Sequence, residues 1–420
     1  MTTTTTTTTA GGIQAVKPTV ASHVRDYWAR VRGGDLGALP AVLGLLVLTL
    51  IFSVARSDTF LSALNFANLF NQSAQVVFIA MGLVFVLLLG EIDLSAGFAS
   101  GVCGAVLAIL LTNEGLPWSV AIPAAMLTGV VIGLVLGLLV TKLGIPSFVV
   151  TLAAFLGFQG ILLTLLEGGK NISITDEFVN SLNKSNLSVT WSWVVTLVGV
   201  AGFALAQLNR YRARASRNLV TEPFGIVATR IVALGLLLVA GTWVLTQERS
   251  INPAINSLKG VPIVVPIIAV FMVIWTFVLG RTTYGRHVYA VGGNTEAARR
   301  AGIPVDRIRI SVFVIGSFMA SIGGILIVSR AGSVDPNTGG SNVLLYSVGA
   351  AVIGGTSLFG GKGKVINAVI GGAVIAVIDN GMGLMGFSSG QKFIFTGLVL
   401  LAAASVDALA RRRAAATGNR

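Results

Sequence analysis

Cysteine is almost absent. Cys103 is the single one in 420 residues, and it sits in an apolar stretch. No intramolecular disulfide can form, and a metal cluster built on a set of cysteine ligands is excluded with it. Histidine is nearly as scarce: His23 and His287 lie far apart in polar, basic surroundings, which argues against a histidine metal site or catalytic pair. Charge is thin too, with 11% Asp, Glu, Lys and Arg against 54% hydrophobic residues, whereas soluble domains carry about 25% charged residues. That much apolar surface cannot be hidden in a soluble fold, so the composition is that of a membrane protein.

The net charge of +13 admits a nucleic-acid partner or retention of Lys and Arg on the cytoplasmic side of a membrane. Position decides between them. Apolar runs of about 17 or more residues read as spans, and they fall near 38–55, 74–90, 95–111, 118–140, 147–166 and 191–207. Six more follow near 229–246, 262–280, 310–328, 343–359, 365–382 and 391–408, the tenth and eleventh short and broken by glycine. The expected fold class is an all-α, polytopic transmembrane helical bundle of about 12 spans, within 10 to 14. With the N-terminus inside and loops alternating, only Arg56, Lys170, Lys184, Arg249, Lys259, Arg330 and Lys392 of the 29 Lys and Arg fall outside. That asymmetry supports both termini in the cytoplasm and removes the need for nucleic acid.

The domain plan is therefore a cytoplasmic tail over 1–37, a membrane domain over 38–408 with a long cytoplasmic loop at 281–309, and a cytoplasmic tail over 409–420. The first tail opens with the low-complexity run Thr2 to Thr9. Over His23 to Val31, Val24, Trp28 and Val31 keep helical spacing among arginines, the pattern of an interfacial helix or of a short solvated one. No cleavable signal peptide is expected, because the first apolar run starts behind a long polar tail and is long enough to span. The stretch Gly168 to Thr190 is rich in Asn and Ser and reads as a solvated outer loop, either a docking surface or a loop without function. Gly129, Gly133 and Gly137 recur every four residues and line one helix face, where a neighbouring backbone can approach closely.

The loop at 281–309 contains a short helix with both ends marked. Asn294 or Thr295 can cap it, Glu296 complements its positive end, Arg299 and Arg300 its negative end, and Gly302 supplies a left-handed exit before Pro304. On this chemistry alone it is a charged knob or a well-capped connector. Glu296, Ala297 and Ala298 followed by Gly302 resemble the cytoplasmic coupling loop of ABC import permeases. Three further blocks resemble the ribose/xylose-type permease family in the same order: Gly90-Glu91-Ile92-Asp93-Leu94-Ser95-Ala96-Gly97, the stretch Pro146 to Leu152, and Ala351 to Leu358. The likeness runs from about 40 to 408. The added pair of spans around 208–230, with Ile378-Asp379-Asn380-Gly381-Met382, resembles the xylose branch of that family.

The resemblance implies an importer subunit working as a homodimer in a bacterial inner membrane, with a cytoplasmic ABC ATPase and an extracytoplasmic sugar-binding protein. Asn294, Thr295, Glu296, Ala297, Ala298, Arg299, Arg300 and Gly302 would then dock into the ATPase. The chain would bind no cofactor and consume no ATP itself. A phosphate-loop lookalike, Gly355 to Gly363, fails because Gly363 stands where Ser or Thr is required and Thr356 where a glycine is.

Candidate residues for the substrate path are Glu91, Asp93, Ser95, Ser147, Phe148, Thr151, Asp379 and Asn380. Glu91 and Asp93 occupy a glycine-flanked break that either lines a cavity at membrane depth or forms a solvated cytoplasmic turn. Asp379 and Asn380 cap a helix end or touch substrate, and Ser147, Phe148 and Thr151 serve packing or substrate. Two transport classes stay open from residues alone: an ATP-driven importer, and an ion-coupled secondary sugar transporter using one of these carboxylates. A membrane enzyme is disfavoured, since no nucleophile with a base and no paired catalytic carboxylates are visible.

Overall fold

A backbone in hydrocarbon must satisfy its own N–H and C=O groups, so the apolar runs fold as helices. The computed structural model describes residues 37–416 except 218, 220, 251 and 256, together with Ser22, Arg25, Trp28 and Ala29. The threonine run and most of the expected interfacial helix over His23–Val31 lie outside the described residues.

Sixteen helices are described. In chain order they begin with α1 (Leu39–Ala55), the single turn α2 (Ser57–Phe60), α3 (Ala63–Leu88) and α4 (Ala96–Ala108), which continues as a π-helical turn over Ile109–Asn113. Next come α5 (Trp118–Lys142), α6 (Ser147–Leu165), α7 (Glu177–Lys184), α8 (Val189–Ala215), α9 (Phe224–Thr246) and α10 (Val264–Arg281). The rest are α11 (Thr283–Gly293), α12 (Thr295–Arg300), α13 (Val305–Ala331), α14 (Ser341–Ile353), α15 (Val365–Leu384) and α16 (Ser389–Ala416). Among the described residues ten helices are long and apolar enough to cross a membrane, and α1 and α14 are shorter apolar helices. The chain is thus a polytopic helical bundle, with an element at each of the twelve expected positions.

The packing centre is α13. The glycine stripe of α5 lies flat on it: a Cβ at Gly129 would sit 2.6 Å from the Ser317 carbonyl, at Gly133 2.5 Å from the Phe313 carbonyl, and at Gly137 2.8 Å from the Ile310 Cα. Without a hydrophobic drive between helices in lipid, such close backbone contact supplies the dispersion that holds them together. On another side α3 runs antiparallel to α13, Gly82 against Gly316 and Ile79 against Gly323.

Two helices begin inside the bundle. Ala96, the first residue of α4, clusters with Leu83, Ala320 and Leu344. Leu83 stands five residues before the end of α3, so the chain climbs back roughly 7 Å into the bundle between α3 and α4. From the other side, α13 ends near the two-residue pairing of β1 (Ile172–Ser173) with β2 (Ser333–Val334). The following backbone then descends to Gly339, whose carbonyl a Cβ at Gly97 would meet at 2.6 Å; one at Gly101 would collide with the Thr338 carbonyl. This explains the short tenth element: α14 starts at depth, and its 13 residues cover only about 20 Å of a core about 30 Å thick.

The loop at 168–190 is less open than its composition suggests. It folds as β1 and the amphipathic α7, whose Val179 and Asn183 are buried. Asn183 donates its backbone N–H to Ser329 Oγ at 3.1 Å and its side-chain amide to the Leu326 carbonyl at 3.2 Å. In contrast, α8 and α9 pack mainly on each other, joined by a hydroxyl pair, Thr196 to Thr242, at 2.6 Å.

Candidate functional site

Chemistry gathers at two opposite ends of the bundle. At the basic end, α11 and α12 form a bent arm between α10 and α13. Asn294 caps α12, its side-chain oxygen accepting from Ala297 N–H at 2.9 Å. Thr295 instead donates back to the Val291 carbonyl at 3.0 Å, joining α12 to α11. Glu296 and Arg300 pair on the exposed surface at 3.2 Å, while Ala298 is buried and Arg299 and Ala297 are exposed. Gly302 takes the left-handed exit, with φ 81°, a conformation that costs glycine nothing.

The base of this arm is bonded to backbone. Gly292 packs directly on the Leu88 carbonyl, which also accepts from Gly361 N–H at 2.8 Å. Tyr289 donates its hydroxyl to the Gly363 carbonyl at 2.7 Å, and Tyr284 shares a 2.8 Å hydrogen bond with Ser311 on α13. Backbone flanking two of the sequence blocks, Leu88 just before Gly90 and Gly361 and Gly363 just after Leu358, thereby meets the base of the arm at one end.

The break between α3 and α4 is held from two directions. Glu91 pairs with Arg309 in the second turn of α13 at 3.0 Å. Ile92 donates its N–H to Ser147 Oγ at 3.2 Å, and Thr151 shares its hydroxyl between the carbonyls of Ile92 at 3.1 Å and Ser147 at 2.9 Å. Asp93 is only 2% exposed. Its Oδ1 accepts from Ser95 N–H at 2.8 Å and Ser95 Oγ at 2.6 Å, and its Oδ2 has no partner among the described residues. Five of the eight expected path residues, Glu91, Asp93, Ser95, Ser147 and Thr151, therefore form one cluster. Phe148 is 52% exposed and makes none of these bonds.

Asp379 and Asn380 lie at the other end, on α15. Asp379 pairs with Lys392 at 3.2 Å. Asn380 is buried and donates to Asn65 Oδ1 at 2.8 Å and Gln72 Oε1 at 3.4 Å, both on α3. Around them α3 presents a row of amides: Asn65, Asn68, Asn71, Gln72 and Gln75. The oxygens of Asn71, Gln75 and Asn380 are buried without a partner among the described residues. Asn68 and Asn71 also line a cavity of about 290 Å³ together with Lys184, Asn186 and Arg249. Arg249 is buried there, bonded to the Leu245 carbonyl and, at 3.0 Å, to the Gly260 carbonyl. Buried amides that lack partners are costly in an apolar interior, and they match the hydroxyls of a sugar as both donors and acceptors.

Sequence reasoning missed this amide row. The apolar-run criterion starts the second span near 74, because the amides themselves interrupt the run, whereas α3 starts at Ala63. The signal was present as five amides in eleven residues immediately before an apolar run.

Residues 65–404 match the family described as branched-chain amino acid transport system / permease component. Among curated relatives, the xylose transport system permease protein of Escherichia coli K12 is 33% identical over 90% of this chain and 93% of its own length. That of Haemophilus influenzae is 32% identical over 90% and 98%. The ribose import permease of Escherichia coli K12 is 29% identical over 87% and 92%. No solved structure matches the chain. With its multi-pass helical bundle, the chain belongs to this permease family and is a monosaccharide-importer permease of the ribose and xylose type.

Proposed function

We propose that the chain forms, as a homodimer in the bacterial inner membrane, the path by which xylose or a related pentose enters the cytoplasm. The basic end faces the cytoplasm, in keeping with the asymmetry of Lys and Arg, and both termini lie there. The amide-lined end receives sugar from an extracytoplasmic binding protein. A partner ABC ATPase hydrolyses the ATP; this chain holds neither the nucleotide nor any cofactor.

The observation that carries this reading is the attachment of α12. Its exposed face offers Glu296, Ala297, Arg299 and Arg300 for docking, and its base is hydrogen-bonded through Tyr289 to the Gly363 carbonyl and packed through Gly292 on the Leu88 carbonyl. Closure of an ATPase pair under α12 would move α11, the Leu88–Ser95 break and the 354–363 loop together, which is how a local push becomes rocking of a bundle. Ser147 and Thr151 shape the inner part of the path by fixing the backbone of Ile92, and Asp93 does so by holding the N–H and hydroxyl of Ser95 at the start of α4. Asn71, Gln75 and Asn380 offer polar atoms to the sugar in the outer part.

Uptake of labelled xylose into reconstituted vesicles tests this reading. The expected result is uptake that requires ATP, the ATPase and the binding protein together. Uptake by the chain alone under a proton or sodium gradient would overturn it.

A further inference from the structure

Where α8, α9 and α10 meet at the basic end, a cavity of about 360 Å³ is lined by arginines from all three helices: Arg210 and Arg214 of α8, Arg230 of α9 and Arg281 of α10. One carboxylate answers them, Glu222, 2.7 Å from Arg230. Among the described residues the other three arginines have no carboxylate partner. Arg210 and Arg214 stand four residues apart on one helix face, a like-charge spacing that opposes the helix unless an anion lies between them. The first turn of α9, which has no side-chain cap, adds unpaired N–H groups and the positive end of its dipole.

The place of this cavity limits what the anion can be. Arg281 ends the 18-residue apolar helix α10, and Arg210 follows the apolar run of α8. Tyr211 meets Phe224 edge-on at 5.6 Å beside it, and Tyr is enriched at the boundary between hydrocarbon and headgroups. About one turn further into the membrane, α8 exposes Leu205 and α10 exposes Phe277, apolar surface suited to an acyl chain. A guanidinium cluster at this depth binds phosphate through paired N–H donors, and a basic pocket between helices at a membrane surface is suited to an anionic headgroup.

We propose that this cavity is a binding site for the phosphate of an anionic phospholipid, which fastens the α8–α9 hairpin to α10. This assignment is independent of the transported sugar and of the ATPase. The test titrates phosphatidylglycerol, phosphatidylcholine or inorganic phosphate onto the intact chain in detergent and counts retained lipid by native mass spectrometry. Phosphatidylglycerol should be retained and phosphatidylcholine should not. Arg214→Gln and Arg281→Gln should each weaken retention about fivefold, and Arg56→Gln should leave it unchanged. Equal melting temperatures in phosphatidylcholine establish that a variant is folded; should Arg214→Gln fail this, Arg281→Gln decides. Retention of phosphatidylglycerol by the folded variants as by the parent overturns the proposal. So does occupancy by inorganic phosphate that excludes the lipid, since the site would then serve a soluble anion.

Discussion

Arg309 holds Glu91 at 3.0 Å, and that pair ties α13, the helix that follows the α11–α12 arm, to the loop that re-enters the bundle. Both side chains are partly shielded from water, so the bond is stronger than an exposed ion pair yet short of a fully buried one. Arg309→Gln and Glu91→Gln should each cost about 1 to 2 kcal/mol of stability, and the double variant less than their sum. Thermal melts of the four proteins in one detergent form the cycle; strict additivity would mean that the pair couples nothing.

The exposed face of α12 carries the second prediction. Glu296→Lys and Arg299→Glu should leave the chain inserted while weakening capture of its ATPase, because the charges offered to the partner are reversed. Co-purification with tagged ATPase reads this directly, and undiminished capture in both variants removes the docking assignment. Asn294→Ala should weaken capture less, through loss of a helix cap worth about 1 kcal/mol.

For the amide row, Asn71→Leu and Gln75→Leu should each lower sugar uptake about tenfold, the equivalent of one hydrogen bond to substrate. ATPase capture should not change, since these residues lie at the opposite end. Variants that transport normally and melt at a higher temperature would show that the unpartnered oxygens are only a burden on the fold.

Glycine contacts predict a contrast within one span pair. Gly133→Ala places a methyl 2.5 Å from the Phe313 carbonyl and should cost about 1 to 3 kcal/mol. Gly157→Ala meets nothing within 4 Å and should be neutral or slightly stabilising through helix propensity. Expression and melting temperature of the two variants provide the comparison.

Glu248 gives a pH dependence. Hydrogen bonds from Ser257, then from the N–H groups of Ser250 and Leu258, hold its carboxyl down to about 2 from 4.5. A carboxyl depressed in the folded state stabilises it above the unfolded value and loses that contribution as pH falls from about 4.5 toward 2. Hydrogen exchange at Ser250 and Leu258 should accelerate over that window beyond its intrinsic trend, and Glu248→Gln should abolish the change.

Much of this was legible in the chain. Apolar runs located twelve elements because backbone satisfaction in lipid leaves helix as the outcome, and Asn294, Gly302 and Pro304 marked a short helix by local chemistry. Two kinds of feature were hidden. The depth of Asp93 depends on Leu83, Ala320 and Leu344 surrounding the residues just after it, and no local pattern reports such contacts. The amides of α3 were hidden because a hydropathy criterion treats Asn and Gln as the end of a span, although inside a protein they can line a path.

The seam where Gly97 and Gly101 meet the backbone of Thr338 and Gly339 also constrains biosynthesis. A ribosome emits α4 long before residue 338 exists, so the face of α4 with Gly97 and Gly101 is made before the backbone that packs on it. Close packing of small residues is what holds helices together in lipid, so α4 completes its packing only when most of the chain has been made.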